Sequence, residues 1–352
     1  MLSAPLKPAG EDDLLVTVVA VNYNGEKWLN RFFSSLRSQT IFDRIEVVLV
    51  DNTSTDGSAE ICRQEMESWP NGVFLPTGGN YGFGGGNNRG AAVARGKYLL
   101  FVNPDVWLEP DCLAELVAGT DRAGTGLGCA LLLDYDSENI QSRGAGGFDI
   151  FGCLTSIGKN QDVPQPFAVA TFFFIERKTF QKLGGFDEEF FLYNEEMDLS
   201  WRAWISGDAI TLVRSARMHH QGASSGDRTV ENRTNEMKRF YANRNQLLAL
   251  LKNAQSPLLL LVLTQTALIT VEAVVGAILA RRFSFARWAL LKPLADCWRL
   301  RRHLLQERRR IRHFRKRSDW WIFSHFFRLG FGRWSDVERL LKSNVIIDKA
   351  QT

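Results

Sequence analysis

Lys97-Tyr98-Leu99-Leu100-Phe101-Val102-Asn103-Pro104-Asp105 decides the architecture. Its apolar run has the length of a strand buried on both faces, and it stops at a polar Asn-Pro-Asp turn. In an α/β sheet with helices on both sides, ligands bind outside the carboxyl ends of the strands. A carboxylate at that end faces the crevice and can hold a divalent cation against a diphosphate. Working outward, Leu14–Val21, Ile45–Val50 and Val73–Leu75 read as further strands. Glu26–Ser38, Ser58–Glu67 and Asn88–Arg95 read as the helices between them. Such alternation predicts a parallel sheet with right-handed crossovers. Beyond it the pattern loosens: strands are expected at Gly124–Leu133, Gly144–Leu154, Phe167–Ile175 and Ala209–Val213, and helices at Lys178–Leu183, Glu195–Ser206 and Thr234–Lys252.

The chain has 352 residues, 45% hydrophobic and 23% charged, enough for a full core plus an appendage. Five scattered cysteines without a C-x-x-C pair argue against a zinc knuckle or a disulfide framework. Met1–Asp13 lacks the apolar core of a signal peptide, so the catalytic part is expected in the cytoplasm. Charge is uneven. Arg281–Arg317 holds fourteen Lys/Arg against Asp296 and Glu307, a net of +12, which leaves −8 elsewhere within a total of +4. A basic tail on an acidic body predicts contact with an anionic surface, either phospholipid or nucleic acid.

Pro257–Ala280 is apolar enough to cross a bilayer, yet Arg281 and Arg282 follow it at once. A lone span would put the densest positive cluster on the wrong side. The segment is therefore read as membrane-associated without a simple span. It either pairs with Phe283–Trp298 as a re-entrant hairpin or lies in the interface beside Arg299–Arg317, with Trp320, Trp321, Phe323, Phe326 and Phe327 as anchors. A soluble helical subdomain is the alternative. The expected division is a catalytic domain over 1–252 and a helical, basic, membrane-associating region over 253–352.

Polar residues collect at the strand ends. Asn22, Tyr23 and Asn24 follow the first strand, and Asp51 closes the second, where its carboxylate can accept from the imide N–H of uracil or thymine. Asp56 and Gly57 offer a helix start nearby. Gly78–Gly90 holds seven glycines in thirteen residues, Gly82 and Gly84 among them. It reads as a loop made for close backbone approach, with a helix N-terminus at Asn87 or Asn88 facing a diphosphate. Arg89 breaks a dinucleotide fingerprint, and no Gly-Lys-Ser/Thr follows. Asp105 offers the hard oxygen that Mg²⁺ or Mn²⁺ prefers, and Asn103 a neutral one. Ser224-Ser225-Gly226 reads as a lid.

The ordered set of motifs resembles family-2 glycosyltransferases of the GT-A fold, in the rhamnosyltransferase-like branch. The matching residues are Asn22-Tyr23-Asn24, Asp51-Asn52-x-Ser54-x-Asp56-Gly57, Asn80-x-Gly82-Phe83-Gly84, Asn103-Pro104-Asp105 and Gly184-Gly185-Phe186-Asp187-Glu188. They continue with Tyr193-x-Glu195-Glu196-x-Asp198, His219-x-x-Gly222-x-Ser224 and Tyr241-x-x-Arg244-Asn245. The resemblance implies an α/β GT-A sheet flanked by helices and an inverting, metal-dependent hexosyl transfer. The donor it implies is a dTDP- or UDP-sugar such as dTDP-rhamnose. The acceptor is a lipid-linked saccharide or polysaccharide, in cell-wall or polysaccharide biosynthesis at the cytoplasmic membrane face. It puts the nucleotide-sugar on Asn22, Tyr23, Asn24, Asp51, Asn80, Gly82, Gly84, Asn103 and Asp105, and the acceptor diphosphate on Arg244. It makes Asp105 and His219 metal ligands, with His220 as the second choice. Glu196 matches the general base, with Glu195 as its rival, because a Glu-Glu pair replaces the usual Glu-Asp.

Three other readings compete. A processive polysaccharide synthase would carry Gln-x-x-Arg-Trp, where this chain has Ser284-Phe285-Ala286-Arg287-Trp288. A nucleotidyltransferase would need a Gly-rich loop with Arg and Lys after the first strand. An RNA-binding protein would use the basic tail alone. No nucleic-acid partner is expected here.

Overall fold

The computed structural model describes residues 14–156, 166, 172–221, 233, 234, 236–279, 281, 283–328, 346 and 347. The expected lid at Ser224-Ser225-Gly226 and the segment Met1–Asp13 lie outside them.

The first half alternates as expected: β1 Val16–Asn22, α1 Glu26–Arg37, β2 Ile45–Asp51, α2 Ser58–Ser68, β3 Gly72–Pro76, α3 Gly82–Val93 and β4 Tyr98–Val102. β3, β2, β1 and β4 lie side by side, all parallel. Every residue of β1, β2 and β4 is buried, which is why these strands are apolar without alternation. Next come β5 Val106–Leu108, α4 Cys112–Ala123, β6 Leu127–Asp134, β7 Ile140–Ser142, β8 Ala145–Phe148, β9 Leu154–Ser156 and β10 Phe172–Glu176. β10 inserts antiparallel between β4 and β6. The parallel half therefore continues into a mixed half, and the sheet has nine strands. α5 Arg177–Leu183, α6 Glu195–Ser206 and β11 Ile210–His220 complete this part. β11 runs past Val213 because an irregularity before Arg217 resets its register on β6. The twin histidines thus lie inside a strand, not beyond it.

Most of the glycine run is helix rather than loop. Its helix starts at Gly82 and carries Gly84, Gly85, Gly86 and Gly90. A Cβ on Gly90 would lie 2.3 Å from Val19 Cγ1, and one on Gly86 2.9 Å from Val21 Cγ2. The small residues let α3 settle onto β1, and that packing outweighs their poor helix propensity.

After β11 and a two-residue strand, β12 Arg233–Thr234, the chain is helical. α7 spans Glu236–Asn253 and α8 Leu261–Leu279. α9 (Phe283–Ala286) runs through a π turn into α10 (Lys292–Arg299), followed by α11 Arg301–Phe314 and α12 Asp319–Phe326. β13 Ile346–Ile347 pairs with β12. One hydrophobic cluster extends from Val16 to Phe326, so these helices share the core of the sheet domain. Arginines of the basic segment fasten them further. Arg308 donates to the carbonyls of Leu251 and Ala254, and Arg315 to Asn253, at the end of α7. Arg317 donates to Trp204, Gly207 and Asp208 at the end of α6, and Arg310 to Leu183 at the end of α5. Cations there satisfy last-turn carbonyls and complement the helix dipole. Part of the +12 charge is therefore structural. All five cysteines are buried.

Gly90→Val is expected to lower stability by about 1–3 kcal/mol through overpacking against Val19 and Val50, read as a lower urea midpoint. An unchanged midpoint would refute the close α3–β1 contact.

Candidate active site

A cavity of about 530 Å³ opens at the carboxyl ends of β1 and β4. Of the residues singled out in the sequence, Asn22, Tyr23, Asn24, Asn80, Gly82, Asn103 and Asp105 line it. Asn52, Trp28, Phe83, Phe191, Leu192 and Met237 also line it. Tyr23 stands half-exposed at the rim. Asn22 is fully buried; its amide N–H groups face Asp51, Ser54 and Ser58, and its Oδ1 has no protein donor. Asn24 holds a left-handed turn, φ 54°, and accepts from Thr55 N–H. Asn80 accepts from Gly82 N–H at 2.9 Å and so fixes the start of α3.

Two expected donor contacts sit elsewhere. Asp51 does not line the cavity. It is buried and accepts from Asn22 Nδ2, Ser54 N–H and Ser54 O–H, which secures the Asn22 amide. Gly84 faces Phe186 across a tight helix contact rather than the ligand space.

Strand alternation separates the histidines. His219 is buried under the Trp107 ring, centroids 3.7 Å apart. Its Nδ1 meets the Asp134 carbonyl at 3.0 Å and its Nε2 meets Glu109 Oε1 at 3.1 Å. Both nitrogens are engaged away from Asp105, so a ligand role for His219 does not fit. Glu109 and Glu138 converge on it, but the Arg217 guanidinium already pairs with both carboxylates. His220 faces the other way. Its Nδ1 lies 2.7 Å from Gln141 Oε1, an acceptor, so Nδ1 carries the proton and the Nε2 lone pair turns outward. That Nε2 is 3.4 Å from Asp105 Oδ2, while Asp105 Oδ1 is buried with no hydrogen-bond partner. Two electron-rich atoms face each other beside an unpartnered carboxylate oxygen. This donor set suits Mg²⁺ or Mn²⁺.

The opposite wall leads to the acids. Phe191, Tyr193 and Asn194 all have positive φ, at 60°, 70° and 66°, which is costly for side-chain-bearing residues. Asn245 Nδ2 sits 2.7–2.8 Å from the carbonyls of Phe190, Leu192 and Tyr193. Arg244 Nη2 donates to the Glu189 and Phe190 carbonyls, Nη1 to Asp296 and Nε to Asn245 Oδ1. Arg244 is thus a buried clamp on this turn, not a surface contact for the acceptor diphosphate. The turn closes on the donor side through Phe83 N–H to the Phe191 carbonyl at 2.9 Å. A Cβ on Gly82, φ 69°, would lie 2.0 Å from that same carbonyl oxygen, so only glycine fits.

α6 starts directly after the turn. Glu195 is buried, its Oε2 unpartnered, and Glu196 is partly buried. Burial pushes Glu195 up to about 8, with the Glu196 charge adding to the rise. Burial raises Glu196 to about 7. Asp198 is held ionised, below the usual carboxylate range despite its burial, by Arg202 and Lys252. Its Oδ2 accepts from both, and Lys252 also reaches Asp187 at 2.7 Å. Gln141 and the Asn245 clamp were invisible as roles in the sequence. Gln141 sits in no motif, and Asn245, although part of the Tyr241-x-x-Arg244-Asn245 motif, has no assigned role until the positive-φ turn is seen.

A mixed sheet with a cavity at its strand ends, a carboxylate–imidazole pair on one side and raised carboxyls beside the other, has the architecture of a glycosyltransferase of the GT-A type. The sequence matches the family model "Glycosyl transferase family 2" over residues 17–184. It is 31% identical over 246 residues to the N-acetylglucosaminyl-diphospho-decaprenol L-rhamnosyltransferase of Mycobacterium tuberculosis, covering 60% of this chain and 78% of that one. It is 21% identical to the rhamnosyltransferase WbbL of Escherichia coli, covering 58% and 83%. Among solved structures, TarS 1–349 of S. aureus in complex with UDP superposes with TM-score 0.51 at 16% identity, covering 85% of this chain and 90% of that one. GalNAc-T7 with UDP, GalNAc and Mn²⁺ gives TM-score 0.52 at 22% identity, covering 60% and 43%. The chain belongs to glycosyl transferase family 2 and is a glycosyltransferase of the rhamnosyltransferase-like kind.

A carboxyl harder to ionise folded than unfolded withdraws stability as pH rises above its ordinary value, 4.5 for Glu196, until it ionises in the folded chain near 7. Glu196→Gln removes that penalty. The variant is expected to be more stable than wild type at pH 8, on the order of 1–3 kcal/mol by urea unfolding, and to match it near pH 4. Equal stability at pH 8 would contradict the raised carboxyl.

Proposed function

We propose that this enzyme is an inverting hexosyltransferase that moves rhamnose or a related sugar from a dTDP- or UDP-sugar to a lipid-linked saccharide acceptor. The observation that carries this reading is the unpartnered Asp105 Oδ1 beside His220 Nε2, in the same cavity as Asn22, Tyr23 and Asn24. Asp105 and His220 would hold Mg²⁺ or Mn²⁺, which would neutralise charge on the departing nucleoside diphosphate. Asn103 lies beside them as a neutral donor. Asn22 Oδ1 accepts from the base imide N–H, with Tyr23 at the rim against the base. Glu196 takes the acceptor hydroxyl proton as that oxygen attacks the anomeric carbon, and burial keeps it poised near neutral pH. One displacement inverts the centre, so no nucleophilic carboxylate is required. Glu195 keeps its proton longer and stays neutral alongside.

The M. tuberculosis relative is named for a decaprenyl-diphosphate-linked acceptor, and a lipid-linked acceptor agrees with the apolar surface of the helices after α7. The proposed division is therefore a catalytic region over 1–252 and a membrane-associating region over 253–352, on the cytoplasmic face of an anionic membrane. Because several tail arginines are engaged with carbonyls, a nucleic-acid partner is not proposed.

Thermal-shift measurements with dTDP- and UDP-sugars are expected to show stabilisation that requires Mn²⁺ or Mg²⁺ and disappears in Asp105→Ala. Glu196→Gln should keep the shift and lose transfer by roughly 10²–10⁴-fold. Transfer retained in Glu196→Gln but lost in Glu195→Gln would reassign the base.

A further inference from the structure

Among the described residues, one helix is long and apolar enough to cross a membrane, Leu258–Ile278, and a third of it is buried. Its two faces are inverted relative to a surface helix in water. The face against the protein carries Gln265 and Glu272, both buried, with Arg239 of α7 3.7 Å from Glu272. The outward face carries Leu260, Leu263, Ala267, Val271, Val274 and Ile278, spaced three or four apart. Apart from Ala267, these side chains are 50–69% exposed. A helix facing water turns its polar stripe outward. This one presents an unbroken apolar stripe and keeps its amide and carboxylate, Gln265 and Glu272, on the protein side, while its exposed Thr264 donates its hydroxyl to a backbone carbonyl.

The helix does not leave the body at either end. Near its start Thr264 donates to the Ile150 carbonyl, and Gln265 Oε1 accepts from Cys153. Near its end Ala273 packs on Phe285 and Ala289, and a Cβ on Gly276 would lie 2.3 Å from Phe285 Cε1. A helix attached along its length to a water-soluble body cannot carry its far end across ~30 Å of hydrocarbon. The next segment adds Phe283, Leu291 and Trp298, which are 93%, 60% and 71% exposed. On α11 an outward stripe carries Arg302, Arg309 and Arg312, all exposed, the charge that anionic headgroups attract.

We propose that α8 is an in-plane, monotopic anchor. Its stripe from Leu260 to Ile278 is immersed in one leaflet of an anionic phospholipid bilayer, and α11 supplies headgroup contacts. The proposal deepens the lipid-linked-acceptor reading by fixing how the enzyme meets that lipid. Met237, at the start of α7, both lines the donor cavity and stands half-exposed. α7 also contacts the anchor through Arg239, so the cavity is tied to the helix that meets the lipid.

Two experiments on the full chain test it, with vesicles of 70% phosphatidylcholine and 30% phosphatidylglycerol. Because the five native cysteines are buried, Leu263→Cys and Ile278→Cys can be labelled selectively with a fluorophore. Lipids carrying a quencher high on the acyl chain should quench both labels alike, and lipids carrying it near the chain end should quench both weakly. A steep difference between the two positions indicates a span and overturns the proposal, as does absence of quenching at either. In flotation, Leu263→Glu/Val271→Glu/Val274→Glu should lose vesicle binding at least tenfold, while wild type keeps most of its binding in 1 M NaCl. Flotation of the triple variant equal to wild type overturns the proposal. So does concentration-dependent dimerisation that covers the stripe and excludes lipid. The nucleotide-sugar thermal shift is measured on the same variants: its loss in wild type counts against the donor reading, and its retention in the triple variant shows that the fold survived.

Discussion

The turn from Phe191 to Asn194, with positive φ at Phe191, Tyr193 and Asn194, is the constraint on which the site depends. Backbone of this kind is unfavourable for phenylalanine and tyrosine, and tolerated best by asparagine. It persists because Asn245 and Arg244 together engage the carbonyls of residues 189, 190, 192 and 193. The turn joins two parts of the site. Its Phe191 carbonyl meets Phe83 N–H at the start of α3, on the donor side. Its far end launches α6 with Glu195 and Glu196. The clamp thereby sets both a wall of the cavity and the placement of the paired carboxyls proposed to supply the base.

The helices beyond α7 anchor the clamp in turn. Arg244 pairs with Asp296 on α10, so these helices hold the arginine that holds the turn. Lys252 at the end of α7 bridges Asp187 and Asp198 in the interior, and His303 of α11 reaches Asp187 at 3.0 Å. Burying such charges is costly unless each is paired, and here each has a partner. The catalytic half and the apolar, basic half are one mechanical unit through these contacts. The apolar stripe proposed to meet lipid and the cavity proposed to take a nucleotide-sugar are joined by shared helices rather than by a linker.

Much of the fold is legible in the sequence, and the losses have physical causes. Parallel strands buried on both faces announce themselves as apolar runs, so β1, β2 and β4 fall within a residue or two of their expected bounds. The glycine run misleads, because poor helix propensity looks like a loop until the valines beneath α3 are seen to demand it. A strand that ends at Val213 cannot separate His219 from His220; once β11 includes them, alternation sends one to Trp107 and Glu109 and the other to Asp105. Arg244 looks like a surface cation because a sequence does not show where an arginine ends. Its carbonyl partners lie more than fifty residues away, in a turn whose backbone no propensity predicts. The paired carboxyls are visible as Glu195-Glu196, but their raised protonation comes from burial, which only packing reveals.

The claim that one cation is held between Asp105 and His220 is open to direct test by pulsed electron paramagnetic resonance of bound Mn²⁺ with dTDP or UDP. The account predicts one imidazole nitrogen coupled to the metal together with phosphorus from the diphosphate. That nitrogen signal should vanish in His220→Ala and persist in His219→Ala. A signal that survives in His220→Ala, or disappears only in His219→Ala, would contradict it.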